Sequence, residues 1–410
     1  MLIEPRDHAG RLAHWLCVLV VALAQASDAK PLDTLVEEVL STSPEIAAAR
    51  SEAEAAEARL QGSTLPLNNP ELEAEYERTD VDTLRVGLTQ TLDWHGKRAA
   101  LERMARLELE LARTRLEALR SDRAHTLLRT AARIHTLEKA LALARDKVKV
   151  LERFEKLALR RQRAGDLSSN DLAMARLSLA EARMARATRK AELIEARSRW
   201  IQLTGRPLAE TVEFPSLIDW RPPALEPAKT AESHPQTRMA RLEAQLARQR
   251  IEAVDRERKP DPTLGVAGGR EGDENLFVLS FALPLQVRNR GEAEVQATRL
   301  EVVAAEQRAR QIQLDVKSRL AAADARYRLL HATWARWIEE GLPSLSQRVA
   351  LLERLWQAGE TSTTDHLIQV QQLLDTRMAG VDFEGELRLA WIDLLEASGA
   401  LGRLEQIMRK

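Results

Sequence analysis

Cysteine is nearly missing from this sequence: its 410 residues carry one, Cys17. That excludes a disulfide framework and any metal site built on thiolates. Aromatic residues are scarce at 4%, and the 17 Gly and 15 Pro fall in clusters. An enzyme core of this length ordinarily carries more Phe, Tyr and Gly. Charge of one sign is not in surplus either. Lys+Arg is 61 against Asp+Glu 62, a net charge of −1, so the basic excess of a nucleic-acid binder is missing. Past the N-terminal segment there is no apolar run of the ~18 residues that a membrane-spanning helix needs.

What remains is a chain that is 44% hydrophobic and 30% charged. It is too apolar and too periodic for disorder. Its Ala, Leu, Arg and Glu content is that of long helices and coiled coils. At roughly 100–200 residues per domain, the length predicts two or three domains.

The N-terminus reads as a targeting segment. Arg6 and Arg11 precede an apolar run over 16–24, and Ala24-Gln25-Ala26 fits the small-x-small cleavage rule. Residues 1–26 are therefore predicted to be a signal peptide, and the mature protein to be exported without cysteine. Cys17 lies inside the apolar run behind Trp15 and Leu16, which argues against a lipid-attachment cysteine. The competing reading is a buried N-terminal helix.

The chain is internally duplicated. Ala164-Gly165-Asp166 followed by Asp171 recurs as Ala358-Gly359-Glu360 followed by Asp365. Thr204-Gly205 and Ser398-Gly399 recur at the same interval. A period this long is no solenoid; it marks two halves of roughly 190 residues. The first repeat spans 27–206: a helix, a β-hairpin at 70–93, a long helix, a tip loop at 164–170 and a returning helix. A linker at 207–227, punctuated by Pro207, Pro215, Pro222, Pro223 and Pro227, leads to the second repeat at 228–402. That repeat has a helix at about 228–258, a β-hairpin at 262–285, and a long helix interrupted at Gly341-Leu342-Pro343. A tip loop at 358–364 and a final helix follow. Residues 403–410 form a tail.

From about 95 to 163 no Pro occurs, and no Gly after Gly96. At 1.5 Å per residue such a helix reaches roughly 100 Å. Leu127, Ile134, Leu141 and Val148 recur every seven residues. Ala131, Leu137, Ala144 and Leu151 interleave with them, forming an antiparallel coiled-coil seam with small residues for close approach. The Arg, Lys and Glu between them read as a solvated face.

The strand pairs alternate. Leu72, Ala74 and Tyr76 alternate with glutamates, and Leu84, Val86 and Leu88 follow a turn near 79–82. In the second pair, Leu264 and Val266 precede a Gly/acidic turn expected over 268–275. Phe277, Leu279, Phe281 and Leu283 then form an apolar face. Period 2 with one apolar and one polar face is a strand signal, and ~10 residues is the length of a tilted outer-membrane strand. Ordinary hairpins packed on helices are the alternative. Four strands cannot close a barrel around a lumen, and an open sheet edge is untenable in lipid. Three chains would supply twelve strands.

These pieces resemble the TolC family of outer-membrane efflux ducts, over nearly all of the mature chain. The resemblance rests on Ser43-Pro44-Glu45-Ile46, Asn69-Pro70-Glu71-Leu72, Gln90 through Arg98 leaving the second strand, Leu283-Pro284-Leu285 with Asn289-Arg290-Gly291, and the two glycine loops. Gly96-Lys97-Arg98 and the Leu-Pro-Leu…Asn-Arg-Gly stretch are most similar to the CzcC-type branch, which serves heavy-metal cation efflux. The resemblance implies a mainly α fold with a small β part and duplicated halves. It implies a homotrimer with a twelve-stranded outer-membrane β-barrel, in contact with outer-membrane lipid, above a periplasmic helical tube. It also implies a periplasmic adaptor and an inner-membrane pump of the resistance-nodulation-division class as partners. Leu72, Tyr76, Leu84, Val86, Leu88, Phe277, Leu279 and Phe281 are then expected to face lipid.

Asp171 and Asp365 are the sharpest candidate residues. Each lies near a helix start, where a first-turn carboxylate is favoured by the helix dipole alone. The resemblance implies more: matching carboxylates line the periplasmic constriction, and threefold symmetry would turn each into a ring that attracts cations. Thr361 replaces a gating arginine of the family pattern and Ile368 another aspartate, so the full gate network is not carried over. Gly165, Asp166, Leu167, Gly359, Glu360 and Thr361 are the expected adaptor-docking tips. After cleavage His95, His125, His135, His234, His331 and His366 remain, and none sits at metal-ligand spacing. No cofactor, metal site or catalytic constellation is expected. The function expected is passive conduction of heavy-metal cations. The alternatives are a drug or type I secretion duct, and a soluble periplasmic coiled-coil protein.

Overall fold

The computed structural model describes residues 32–208, 214, 226–358 and 360–403. The expected signal segment, most of the proline-rich linker, Gly359 and the tail beyond 403 lie outside the described residues. In chain order the elements are α1 (Leu32–Thr42), α2 (Pro44–Ser63), β1 (Glu71–Arg78), β2 (Asp82–Thr91), α3 (Lys97–Arg163) and α4 (Ser169–Thr204). The second repeat supplies α5 (Pro227–Ser233), α6 (Pro235–Glu257), β3 (Thr263–Glu271), β4 (Glu274–Ala282) and α7 (Glu292–Arg336). A π-turn at Trp337–Gly341, α8 (Leu342–Gln357), α9 (Thr363–Ala397) and a short 3-10 turn at Ala400–Arg403 complete the chain. Among the described residues no helix is long and apolar enough to cross a membrane.

Helix α3 runs unbroken for 67 residues, as a stretch without Gly or Pro should. It starts two residues later than the composition suggested. Asp93 accepts from the free backbone N–H groups of Lys97 and Arg98 at 2.7 and 2.9 Å, satisfying donors that a helix start leaves orphaned. All eight seam residues, Leu127 to Leu151, are buried. The upper core is built on five of them, Leu127, Ala131, Ile134, Leu137 and Leu141. Leu193 and Trp200 come from α4, Leu320 and Tyr327 from α7, and Leu387, Trp391 and Leu394 from α9. Fully burying a side chain of this kind contributes roughly 1.5–3 kcal/mol. A separate lower core near the tips gathers Val148, Leu151, Ala158, Leu172, Ala175, Leu179 and Ala182, joined by Leu367 of the second repeat.

The polar positions between the seam residues are not simply solvated. Many form ion-pair rungs between helices: Arg103 with Glu252 and Arg115 with Glu243 join α3 to α6, while Arg183 with Glu152 and Arg197 with Glu138 join α3 to α4. Exposed pairs of this type are worth at most about 1 kcal/mol each, so their main role is to set register.

The expected single helix at 228–258 is two helices. Pro235 cannot continue α5, because its ring removes a donor and clashes with the preceding turn. The chain breaks at His234, whose ring Nδ1 accepts from Gln236 N at 3.3 Å and caps α6.

The strands form one antiparallel sheet in the order β1-β2-β3-β4. The two hairpins thus sit side by side with β2 paired to β3. The expected turn at 268–275 is only Gly272 and Asp273. Gly268 and Gly269 belong to β3, opposite Val86 and Arg85. Gly269 is required there by close approach, since a Cβ would collide with the Leu84 carbonyl oxygen.

Candidate functional site

The sheet presents one continuous apolar face. The pairing register places Leu72, Leu88, Val266 and Leu279 in one cross-strand row, and Ala74, Val86, Gly268 and Phe277 in the next. Leu264 and Phe281 extend the face towards the helices. The eight residues expected to face lipid all lie on this face and are exposed, from 49% for Val86 to 75% for Leu279. Trp94, beyond the helical end of β2, is 71% exposed.

The opposite face is polar on its first strands. Glu71, Glu73, Glu75 and Glu77 line β1. Arg85 reaches across from β2 to Glu75 at 3.1 Å, and Thr89 donates to Glu73 at 3.3 Å. On β4 the same face carries Leu276 and Val278, so that strand is apolar on both sides. Within the chain β1 and β4 are edges, each with one row of backbone groups unpaired.

At the other end of the molecule the two tip turns are built alike. The first closes with Gly165 at φ +88°, where Asp166 N donates to Arg161 O at 2.9 Å and Gly165 N to Gln162 O at 3.1 Å. This is the paired hydrogen-bond pattern of a helix ending on a left-handed glycine. In the second tip Glu360 N donates to Leu355 O at 3.0 Å, the equivalent bond. Gly359 lies outside the described residues. Asp166 and Glu360 are exposed. Leu167 instead packs against the lower core, and Thr361 is half-buried.

Asp171 and Asp365 do the same local work at their helix starts. Ser168 caps α4 by accepting from Asp171 N at 3.1 Å and donates its hydroxyl to Asp171 Oδ2 at 2.7 Å. Ser362 repeats both bonds with Asp365 at the same distances. The Ser-x-x-Asp spacing is a capping-box pattern, a signal in the sequence that the glycine loops had overshadowed. One bond breaks the symmetry. The Thr364 hydroxyl donates to Asp171 Oδ1 at 3.1 Å and ties the second tip to the first. The Ser168 and Thr364 hydroxyls together hold the Asp171 carboxyl below the usual carboxylate range.

The second tip also carries an aromatic cluster with no counterpart in the first. Trp356 stacks on His366 at 4.3 Å between ring centroids, and Arg161 of the first hairpin lies 5.2 Å from the Trp356 ring. Burial lowers the His366 pKa against the pull of Glu353.

The remaining histidines are dispersed. His125 meets Asp393 at 3.0 Å beside Arg129 and Arg326. His135 packs against Phe214, and burial, with Arg388 and Lys139 nearby, lowers its pKa to about 4. His331 packs on Tyr327. The neutral His234 ring caps α6. Among the described residues no three His, Cys, Asp or Glu side chains converge as a metal site would require.

The chain thus sets a four-stranded sheet, with one apolar exposed face and two edges unpaired within the chain, on helices of up to 67 residues. Residues 227–400 match the family model described as outer membrane efflux protein. The match lies in the second repeat and covers less than half of the chain. The chain is 27% identical over 244 residues to the cobalt-zinc-cadmium resistance protein CzcC of Cupriavidus metallidurans. That match spans 58% of this chain and 58% of the relative's length. Among solved structures, CusC superposes with a TM-score of 0.74 at 18% identity, over 92% of this chain and 95% of that one. The Campylobacter jejuni CmeC outer membrane channel superposes with a TM-score of 0.75 at 13% identity, over 93% and 90%. At these identities the structural likeness establishes the fold.

Proposed function

We propose that this chain is the outer-membrane channel component of a tripartite efflux system and passively conducts heavy-metal cations out of the cell. The observation that carries the reading is the sheet: one face apolar and exposed, the other largely polar, with both edges unpaired. Open edges are untenable in hydrocarbon. Three copies joined β4 to β1 close a twelve-stranded barrel, and the long helices below close a periplasmic tube. Residues 1–26 direct export and are removed. The similarity to a cobalt-zinc-cadmium resistance protein supports heavy-metal cargo. Conduction calls for no bond chemistry, so the chain needs no catalytic group.

In the trimer Asp171 and Asp365 form two acidic rings at the periplasmic end, which attract cations and raise the barrier to anions. The tips around Gly165, Asp166, Gly359, Glu360 and Thr361 meet a periplasmic adaptor, which couples the duct to an inner-membrane pump of the resistance-nodulation-division class. Leu167 anchors its loop to the lower core.

Membrane fractionation, with a size measurement on the detergent-solubilised protein, tests the assembly. A trimer in the outer-membrane fraction is expected, and a soluble monomer overturns the reading. Planar-bilayer recording tests the rings. Asp171→Ala with Asp365→Ala should raise conductance or lower cation selectivity, and no change in either removes the rings from the mechanism.

A further inference from the structure

The apolar face of the sheet ends in a row of different chemistry. Tyr76, Leu84, Arg270 and Asn275 face each other across the four strands on the lipid side. This row lies one pleat from the hairpin turns, at the end away from the helices. A tyrosine at that height marks the boundary between hydrocarbon and headgroups, where its ring sits in apolar surroundings and its hydroxyl in wet ones.

Arg270 is exposed and forms no hydrogen bond or ion pair among the described residues. The other outward arginine, Arg78 near the end of β1, lies 3.8 Å from Asp82 and is offset by it. Glu271 and Glu274 alternate onto the opposite face. Asp82 also meets the Tyr76 hydroxyl, and the Arg270 guanidinium is left without an ion pair among the described residues at the rim of an otherwise apolar wall. Beneath it in β3, two residues back on the same face, stands Gly268. A Cβ there would meet nothing nearer than the Leu276 carbonyl oxygen at 4.0 Å. The missing side chain leaves a notch between Val86 and Phe277, the neighbours of Gly268 in its row.

We propose that Arg270 and Asn275, with the Tyr76 ring marking the interface, bind the phosphate of an outer-leaflet lipid whose acyl chain lies in the notch at Gly268. The site rests on the outer-membrane reading above and occurs three times in a trimer. A guanidinium fork matches phosphate oxygens bidentately. The Asn275 amide adds a donor across the strand pair. The apolar notch admits a lipid tail, and a free anion gains nothing from it.

The test is native mass spectrometry of the full detergent-solubilised protein with lipid A, with lipid A stripped of its phosphates, and with inorganic phosphate as competitor. Wild-type protein should retain phosphorylated lipid A about fivefold more strongly than Arg270→Ala, the usual effect of one basic side chain near an anionic lipid surface. Arg78→Ala should retain it nearly as well as wild type. If Arg270→Ala fails to assemble, Arg270→Gln and Asn275→Ala carry the test. Equal retention by wild type and the Arg270 variants overturns the proposal, as does equal retention of the stripped lipid. Displacement of lipid A by inorganic phosphate overturns the lipid assignment in favour of a free-anion site. Wild-type protein that inserts into phosphatidylcholine vesicles as a trimer yet binds both lipids alike removes this site alone. Protein that inserts into no vesicle removes the membrane reading with it.

Discussion

The two helical hairpins share one duplicated plan and pack differently. In the first, α3 passes through 143–147 without interruption. In the second, the equivalent stretch is the π-turn, where Leu342 N donates to Trp337 O, five residues back. The cause is Pro343. It has no N–H to give, and in a regular helix its ring would clash with the Glu339 carbonyl. A widened turn absorbs the misfit. The Ser344 hydroxyl donates to Glu340 O at 2.7 Å and the Ser346 hydroxyl to Leu342 O at 2.9 Å. The Trp337 ring lies over Gly341 and close to Gly380.

Burial follows the same division. Towards the tip the first hairpin buries Val148, Leu151, Ala158, Leu172, Ala175, Leu179 and Ala182. The second buries Leu352, Leu367 and Leu373. Duplication thus fixes the outline of a hairpin, while its local stability is set by how much apolar surface each copy covers. The second tip is tied to the first by a few contacts: the bond from Thr364 to Asp171, the Arg161–Trp356 contact, and Lys147 with Asp375.

Matched truncations probe this contrast most strongly. Leu151→Ala should cost about 2–5 kcal/mol, the usual loss for a buried leucine. Its repeat counterpart Leu345 is half-buried, and Leu345→Ala should cost less than about 1.5 kcal/mol. Denaturant unfolding followed by circular dichroism reads both, and equal losses would break the comparison. Next comes the π-turn. A Cβ at Gly341 would collide with the Trp337 ring, so Gly341→Ala should cost about 1–3 kcal/mol and speed hydrogen exchange across α8 more than across the lower part of α3. Unchanged exchange in α8 would remove the Trp337 packing from the account.

The halves also differ in acid response. His135 is held neutral by burial, with Arg388 and Lys139 adding to the effect, and its pKa is about 4. Its counterpart in the second repeat is the exposed Leu329. Below pH 6.5 the unfolded chain takes up a proton at His135 that the folded one refuses. Stability is therefore full above pH 6.5 and falls as pH drops towards about 4. After discounting for partial exposure the loss is about 1–2 kcal/mol. His135→Gln should flatten that slope in pH-dependent melting, and an unchanged slope would reassign it. The smallest effect lies at the caps. Asp171→Asn and Asp365→Asn each weaken a reciprocal cap worth about 0.5–1 kcal/mol. Asp171→Asn should cost slightly more, because the Thr364 bond weakens too. Thr364→Val should bring the two losses together in thermal melts of the double variants.

Periodicity made the helical seam legible, because seven-residue spacing and burial are two views of one geometric constraint. The two tips were legible because a chain reversal imposes glycine and small polar residues. The turn expected at 268–275 was misplaced for a specific reason. Glycine signals both reversal and close approach, and only the register with Leu84 distinguishes them at Gly269. The helix break at His234 followed from Pro235, a signal the Ala-rich surroundings masked. The roles of Asp171 and Asp365 were half legible. Their Ser-x-x-Asp spacing encodes the cap, whereas the Thr364 bond joins residues far apart in sequence.

By itself the sequence determined the near-absence of cysteine, the helix lengths, the duplicated plan and the two-faced strands. These depend on residue type at short, regular spacing, where local sterics and burial act directly. Only the tertiary structure decided which hairpin is tightly packed and which charges form rungs. It also decided that Arg270, unpaired among the described residues, stands in a row with Tyr76 and Asn275. Such outcomes depend on which distant segments share space, and no local spacing encodes them.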